Sequence, residues 1–337
     1  MSDRNHKASL KLALAATVFA MIVIVLGAFT RLADAGLGCP DWPGCYGHAL
    51  WPNEHHEILA ANEAFPDTPV DTQKTWPEMV HRYLASCLGL FAIALAVLAV
   101  RNRAPNKPLK LPLFLLGFII LQGMFGMWTV TLKLWPQVVT GHLLGGFITL
   151  NLFWLLALRL GAARHVFSLS DEAKASLLKV SAVVLGVVVF QIALGGWTTS
   201  NYAAVACPDF PKCQGQWWPE IDLIHGFNIA QAVGPNYLGG LMENEGRVAI
   251  HMMHRIGAII TFLAVISLCV ALLKQGLRCL AVMLAVAVIV QVLLGISNVV
   301  FHFPVWVAVA HNLGGVLLAA TLVFVVYALY TAQPSQQ

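Results

Sequence analysis

The sequence predicts an all-α polytopic membrane protein whose eight transmembrane helices form two pseudosymmetric four-helix bundles. Composition is the first reason. Apolar residues make up 58% of the 337 residues and charged residues only 11%, whereas a soluble domain carries about twice that charged fraction. Duplication is the second reason, because several motifs occur twice in the same order along the chain. Together these observations favour a membrane protein built from two copies of one helical unit.

Eight charge-free stretches are long enough to cross a bilayer, since a spanning helix needs about 20 mostly apolar residues. Each is predicted to be helical because a single span in lipid must satisfy its own backbone groups. The first stretch lacks a convincing small-residue cleavage site, so we interpret it as a retained helix rather than a signal peptide. The stretches are 12–29, 83–100, 111–132, 134–158, 180–204, 256–273, 279–301 and 303–330.

Basic residues concentrate on one side of the predicted membrane. The positive-inside rule makes that side cytoplasmic, together with both termini. The segments 30–78 and 205–247 then lie outside, on the periplasmic side of a bacterial inner membrane. The net charge of +4 gives no indication of a nucleic-acid partner. The 13 basic residues on the cytoplasmic side, of 20 in all, are Arg4, Lys7, Lys11, Arg101, Arg103, Lys107, Lys110, Arg159, Arg164, Lys174, Lys179, Lys274 and Arg278.

A small cysteine motif is the clearest duplicated feature. "GLGCPDWPGCYG", residues 36–47, corresponds to "AVACPDFPKCQG", residues 204–215. A His-Arg pair and a later Gly-rich block also repeat, at offsets of 173 and 169 positions. An even number of helices per copy makes the copies parallel in the membrane. We therefore expect an N-terminal bundle, 1–165, and a C-terminal bundle, 166–337.

Four of the twelve histidines occupy duplicated positions: His81 with His254, and His142 with His311. Polar residues inside a membrane are costly and indicate function. Two histidines per bundle, on different helices, suit bis-imidazole ligation of a haem iron. For a single membrane histidine, a hydrogen-bonded structural role is the alternative. We expect His81 and His254 to begin their helices, and the glycines beside His142 and His311 to let a flat macrocycle lie against the helix.

Residues near these histidines show both repetition and asymmetry. Arg82 and Arg255 follow the first histidine of each pair, and would either reach the headgroups or bind a haem propionate. Glu78 lies three residues before His81 and so shares its helix face, whereas His251 is the equivalent residue in the second copy. A helix N-terminal acid is the plain interpretation of Glu78. A proton-transfer or charge-stabilising role beside one haem is the functional interpretation.

Three glutamines each precede a glycine by four residues. These are Gln122, Gln191 and Gln291, before Gly126, Gly195 and Gly295. Interhelical hydrogen bonding with close backbone approach is one interpretation, and contact with a cofactor is the other. Three further cysteines, Cys87, Cys269 and Cys279, are expected to be small buried apolar residues.

Taken together, the "EMVHR" stretch, the second histidine of each half and the outer cysteine pairs resemble the haem A synthase family over nearly the whole chain. The resemblance implies oxidation of a haem O methyl group to a formyl group, giving haem A for cytochrome oxidase. It implies a resident haem b on His254 and His311, and a substrate haem O on His81 and His142. Glu78 matches the acid needed for activity. Haem O synthase and cytochrome oxidase assembly factors are the expected partners, besides an electron acceptor and membrane lipid.

Other functions remain open at this stage. A membrane di-haem b electron-transfer protein would use the same four histidines, but it would not need a carboxylate at one haem only. A thiol-oxidising protein would use the cysteines, although such proteins usually carry Cys-x-x-Cys. A transporter would need more intramembrane charges than the chain offers. Cys39–Cys45 and Cys207–Cys213 are predicted disulfides within each loop, with a structural role or a redox role in haem handling.

Overall fold

The structure, a computed structural model, describes residues 3–103, 107–162 and 167–334. Eight of its helices are long and apolar enough to cross a membrane, and the predicted all-α polytopic fold class is confirmed. These are α1 (Asp3–Leu32), α3 (Thr72–Arg101), α4 (Lys110–Thr131), α5 (Pro136–Arg159), α6 (Asp171–Ser200), α8 (Asn244–Lys274), α9 (Arg278–Val300) and α10 (Val305–Tyr330). Shorter elements are α2 (His55–Ala64), α7 (Leu223–Gly226), a 3₁₀ turn (Ala204–Ala206) and the parallel pair β1 (Ser168–Leu169) and β2 (Gln333–Pro334).

Several helices extend well beyond the apolar stretches that predict them. The expectation that His81 and His254 begin their helices is wrong, because α3 already begins at Thr72 and α8 at Asn244. The added turns are polar, and the Asp71 side chain caps α3 by accepting a hydrogen bond from the Gln73 N–H at 3.0 Å. Hydropathy alone marks the part of a helix that lipid would cover and misses capped turns outside it.

The helices pack in an order that follows the sequence repeat. In the N-terminal half, α1 contacts α3 and α5, and α4 contacts the same two helices. In the C-terminal half, α8 and α10 each contact both α6 and α9. Helices α1 and α5 of the first half pack on α10, and α5 also packs on α6. Each half has its own apolar core. The division into an N-terminal bundle, 1–165, and a C-terminal bundle, 166–337, stays a prediction.

The segment between Trp217 and Glu243 belongs to the C-terminal half, follows the second cysteine loop and contacts the N-terminal half. It is mostly irregular and contains the short helix α7. The Trp135 indole N–H donates to the Gln231 carbonyl at 3.1 Å, and the Tyr237 N–H donates to the Lys133 carbonyl at 3.0 Å. The segment therefore binds the α4–α5 connection of the other half.

Two expectations about cysteines are wrong. Cys269 is buried as expected, but Cys87 and Cys279 are exposed on the helix surfaces. In a membrane such surfaces would face lipid, which also accommodates a small apolar side chain. Arg164, expected on the cytoplasmic side, lies outside the described residues, as does His165.

Candidate functional site

His81 and His142 face each other across the N-terminal half. His81 lies on α3 and His142 on α5, and their ring centroids are 6.5 Å apart with planes at 89°. Two imidazoles on opposite sides of one metal ion have centroids about 6 Å apart, since the metal–nitrogen bond is about 2 Å and each centroid lies about 1 Å further. The pair is therefore spaced to bind one metal ion between its rings.

His254 on α8 and His311 on α10 occupy the corresponding positions in the C-terminal half. All four histidines keep part of their surface accessible. Among the described residues no three His, Cys, Asp or Glu side chains gather as a metal-ion site. Paired imidazoles are a donor set for haem iron, whose remaining ligands come from the porphyrin. The two pairs thus fit haem as the bound group.

Each of these histidine rings lies against a glycine of a neighbouring helix. A Cβ built on Gly27 would lie 2.6 Å from the His81 Cε1 atom, and one on Gly126 would lie 3.1 Å from that of His142. The same distance is 3.2 Å for Gly195 with His254 and 3.0 Å for Gly295 with His311. A side chain at any of these positions would push the ring away. The sequence spacing identifies three of these glycines, while Gly27 lacks the preceding glutamine and is missed.

Two of the three glutamines bond to the histidines and support the hydrogen-bonding interpretation. The Gln122 Nε2 atom lies 3.0 Å from His142 Nδ1 and donates to the His142 carbonyl at 2.7 Å. Gln191 makes the same two contacts with His254, at 3.0 and 2.9 Å. Their amides occupy the space in front of glycines that were expected to face a macrocycle, such as Gly145 and Gly314. The immediate neighbours of these glycines are therefore Gln122 and Gln291.

Glu78 is 4% exposed and lies one turn before His81 on α3. Its carboxylate pairs with the Arg82 guanidinium at 2.5 Å and accepts a hydrogen bond from the Cys39 N–H at 2.9 Å. His251, the equivalent residue in α8, is 5% exposed, and its Nδ1 atom has no hydrogen-bond partner. A buried carboxylate therefore stands beside the histidine pair of one half only.

Arg82 and Arg255 bind the cysteine loops through main-chain carbonyls. Arg82 Nη1 donates to the carbonyls of Asp41, Pro43 and Gly44, at 3.0, 3.2 and 2.6 Å. Arg255 donates to the carbonyls of Cys207, Asp209 and Lys212, at 3.1, 2.8 and 2.7 Å. Neither of the two earlier interpretations, headgroup contact or propionate binding, includes this role. In this structure each arginine holds a cysteine loop against the helix that carries the first histidine.

We define the first loop as residues 39–48 and the second loop as residues 207–216. The sulfur atoms of Cys39 and Cys45 lie 2.04 Å apart, and those of Cys207 and Cys213 lie 2.00 Å apart, so each pair is within its own loop. Each loop is closed further by an isolated antiparallel bridge, between Cys45 and His48 or between Cys213 and Gln216. The duplicated sequences therefore form duplicated structures.

An aspartate organises each loop from within. Asp41 accepts hydrogen bonds from the N–H groups of Tyr46 and Gly47, at 2.6 and 2.8 Å. Asp209 does the same for Gln214 and Gly215, at 2.6 and 2.9 Å. The Gly215 and Gln214 N–H groups hold the pKa of the Asp209 carboxyl below its ordinary value. Burial, aided by the charge of Glu78, raises the pKa of the Tyr46 hydroxyl.

The other described histidines lie in different surroundings. His225 pairs with Asp222 at 2.6 Å, and His6 contacts Lys107 at 3.1 Å. His48 lies in the first loop near Glu57. None of these contacts involves the paired histidines.

The eight spans define a polytopic helical membrane protein, and its two pairs of histidines are a donor set suited to haem. The chain matches the COX15-CtaA family, described as "Cytochrome oxidase assembly protein", over residues 10–323, and it belongs to that family. It is 46% identical over 314 residues to the "Heme A synthase" of Shewanella oneidensis, covering 93% of this chain and 94% of the relative. It is 30% identical to the "Heme A synthase" of Caulobacter vibrioides, covering 95% of each chain.

Proposed function

We propose that this protein is a haem A synthase that oxidises a methyl group of haem O to a formyl group. Family membership and the names of the relatives support a role in haem A biosynthesis. The single observation that supports the reaction itself is the buried Glu78 beside one histidine pair, with His251 in the corresponding place. A protein that only passed electrons between two equal haems would not need this difference.

In this proposal the two histidine pairs bind different haems. His254 and His311 would hold a resident haem b, and His81 and His142 would hold and orient the substrate haem O. When bound, the resident haem supplies a one-electron redox centre. The substrate is apolar, so lateral entry from the lipid fits a site built between spanning helices. The electron acceptor is a separate partner that the histidine sites do not identify.

Glu78 would act on the charge that develops as electrons and protons leave the methyl carbon. Its carboxylate is held by Arg82 and by the Cys39 N–H, so it is oriented before the substrate arrives. A positioned carboxylate stabilises positive charge or accepts a proton, and a group of this kind typically contributes about 10²–10⁴-fold in rate. Arg82 balances the charge of Glu78 and at the same time fixes the first loop over the same helix.

The same proposal places the protein in the bacterial inner membrane with both termini in the cytoplasm. The basic helix connections then face the cytoplasm, and both cysteine loops face the periplasm, where disulfides persist. Haem O synthase, as the source of substrate, and cytochrome oxidase assembly factors, as users of the product, are the proposed partners.

Extraction of haems from the purified protein tests the function directly. The protein is produced with and without a co-expressed haem O synthase, and the extracted haems are separated by chromatography. We expect haem b alone without the synthase, and haem A in addition when haem O is supplied. Haem b and unchanged haem O in both samples would favour the di-haem electron carrier instead.

A further inference from the structure

Three of the four paired histidines share one arrangement with a glutamine and two glycines. On one helix a glutamine precedes a glycine by four residues, and on the facing helix a histidine precedes a glycine by three. The glycine after the glutamine receives the histidine ring, and the glycine after the histidine receives the glutamine amide. The three sets are Gln122, Gly126, His142 and Gly145; Gln191, Gly195, His254 and Gly257; and Gln291, Gly295, His311 and Gly314.

The close approach of the amide explains why the second glycine is needed. A Cβ on Gly145 would lie 2.0 Å from the Gln122 Oε1 atom, and the same distance is 2.2 Å for Gly257 with Gln191 and for Gly314 with Gln291. Any larger residue at these positions would displace the amide. Gln122 and Gln191 bond to their histidine rings. In the third set the Gln291 amide lies against Gly314 in the same way, but the His311 Nδ1 atom has no hydrogen-bond partner.

His81 is the exception, and two substitutions coincide there. Gly27 is retained against the ring, but Val23 stands where Gln191 stands in the other half, and Leu84 stands where Gly257 does. Both residues belong to one apolar cluster. The buried His81 Nδ1 atom has no hydrogen-bond partner. The glutamine and the glycine that accommodates it are therefore absent together, and an apolar pair fills their place.

The second nitrogen of a ligating histidine matters for the strength of the metal bond. A partner at that nitrogen fixes the ring orientation and raises its basicity, and its loss typically lowers metal affinity by about 10–100-fold. A glutamine amide serves either tautomer, because a half-turn of the amide presents Oε1 in place of Nε2. His142 and His254 have such a side-chain partner, whereas no side chain bonds to the Nδ1 atom of His81.

We propose that Gln191 is a positioning residue for His254, and that Val23 and Leu84 make His81 the releasable axial ligand of the N-terminal site. This inference rests on the proposed function, because it explains how one site exchanges its haem while the other keeps it. A haem held by one histidine with a glutamine beside it and one without dissociates faster than a haem held by two histidines with glutamines beside them.

The rate of haem loss tests the inference without any turnover. Purified protein loaded with ferric haem b, which stands in for haem O at the first site, is mixed with excess apomyoglobin as haem acceptor. Absorbance reports the transfer, and we expect a fast and a slow phase. The fast phase belongs to the N-terminal site if it is missing from His142→Ala.

Two double variants exchange the residues beside His254 with those beside His81. Q191V/G257L is expected to speed the slow phase about 10–100-fold and to increase the high-spin fraction of that haem. V23Q/L84G is expected to slow the fast phase, a gain that damage to the fold would not produce. Q137V is the matched control, since Gln137 contacts the Ile229 carbonyl and no histidine, and both phases should stay at their wild-type rates.

An unchanged slow phase in Q191V/G257L would overturn the positioning role of Gln191. An unchanged fast phase in V23Q/L84G would overturn the assignment of His81 as the releasable ligand. Failure of the proposed function looks different, because wild-type protein would then make no haem A from haem O even though the loss rates changed as expected.

Discussion

The Cys39 main-chain N–H donates a hydrogen bond to the Glu78 carboxylate at 2.9 Å, and this contact joins the first loop to the helix that carries His81. The same carboxylate pairs with Arg82, whose other nitrogen binds three carbonyls of that loop. The second loop is bound by Arg255 in the same way, but His251 stands in place of the acid. The first loop is thus tied to the proposed catalytic group, and the second loop is not.

Opening the first loop should therefore disturb the reaction more than opening the second. We expect C39S/C45S to lower haem A formation while the resident haem b is retained, because Cys39 would no longer hold Glu78 in place. C207S/C213S is the matched control and should have the smaller effect on product. Chromatography of extracted haems measures both, and equal losses of haem A would show that the contact with Glu78 is not the reason.

Connectivity is checked separately by mass spectrometry of the unreduced protein. We expect peptides linked by Cys39–Cys45 and by Cys207–Cys213 only. Each closure of a loop this short contributes about 2–3 kcal/mol by reducing the entropy of the unfolded chain. Four free thiols, or a bond between the loops, would contradict the structure.

The arginines should act on the loops in the same way in both halves. Arg255→Lys replaces a planar group that reaches several carbonyls with a single ammonium, and we expect faster amide hydrogen exchange in the second loop. Arg82→Lys should do this in the first loop and also disturb Glu78. Unchanged exchange in both loops, together with a shifted haem reduction potential, would favour propionate binding by these arginines.

The second loop should weaken in acid because its aspartate is bound as a carboxylate. The pKa of Asp209 is lower in the folded loop than its ordinary value. Its contribution is therefore complete above the ordinary pKa and is lost as the pH falls through the lowered one. Protection of the Gln214 and Gly215 amides, measured against an unfolded reference, should fall over that range, and Asp209→Asn should remove the pH dependence. A wild-type loop with equal protection throughout would contradict this.

The four histidines should separate into two functional pairs. We expect His254→Ala or His311→Ala to strip the resident haem b and lower stability, since a haem bound only to the folded state stabilises it. His81→Ala and His142→Ala should leave that haem in place and abolish product. Spectra of the purified variants measure the bound haem, and equal loss in all four would contradict the division between the halves.

The sequence predicts the number of spans and the duplicated loops because these depend on composition and local pattern. It also predicts that His81 and His142 form a pair, since both recur in the second copy. The role of Arg82 could not be predicted in the same way, because its carbonyl partners at Asp41 and Gly44 are about forty positions away and carry no side-chain signal. The contact of Glu78 with Cys39 is missed for the same reason.

Glu78→Gln tests the central claim most directly, because the amide keeps the size of the side chain and can still accept the Cys39 hydrogen bond while losing the negative charge. Haems are extracted from cells that express haem O synthase with wild-type protein, Glu78→Gln or His251→Ala, and separated by chromatography. We predict that Glu78→Gln keeps the resident haem b and binds haem O but makes little haem A or stops at the alcohol, whereas His251→Ala is much milder. Wild-type amounts of haem A from Glu78→Gln would contradict the account and favour a plain di-haem electron carrier.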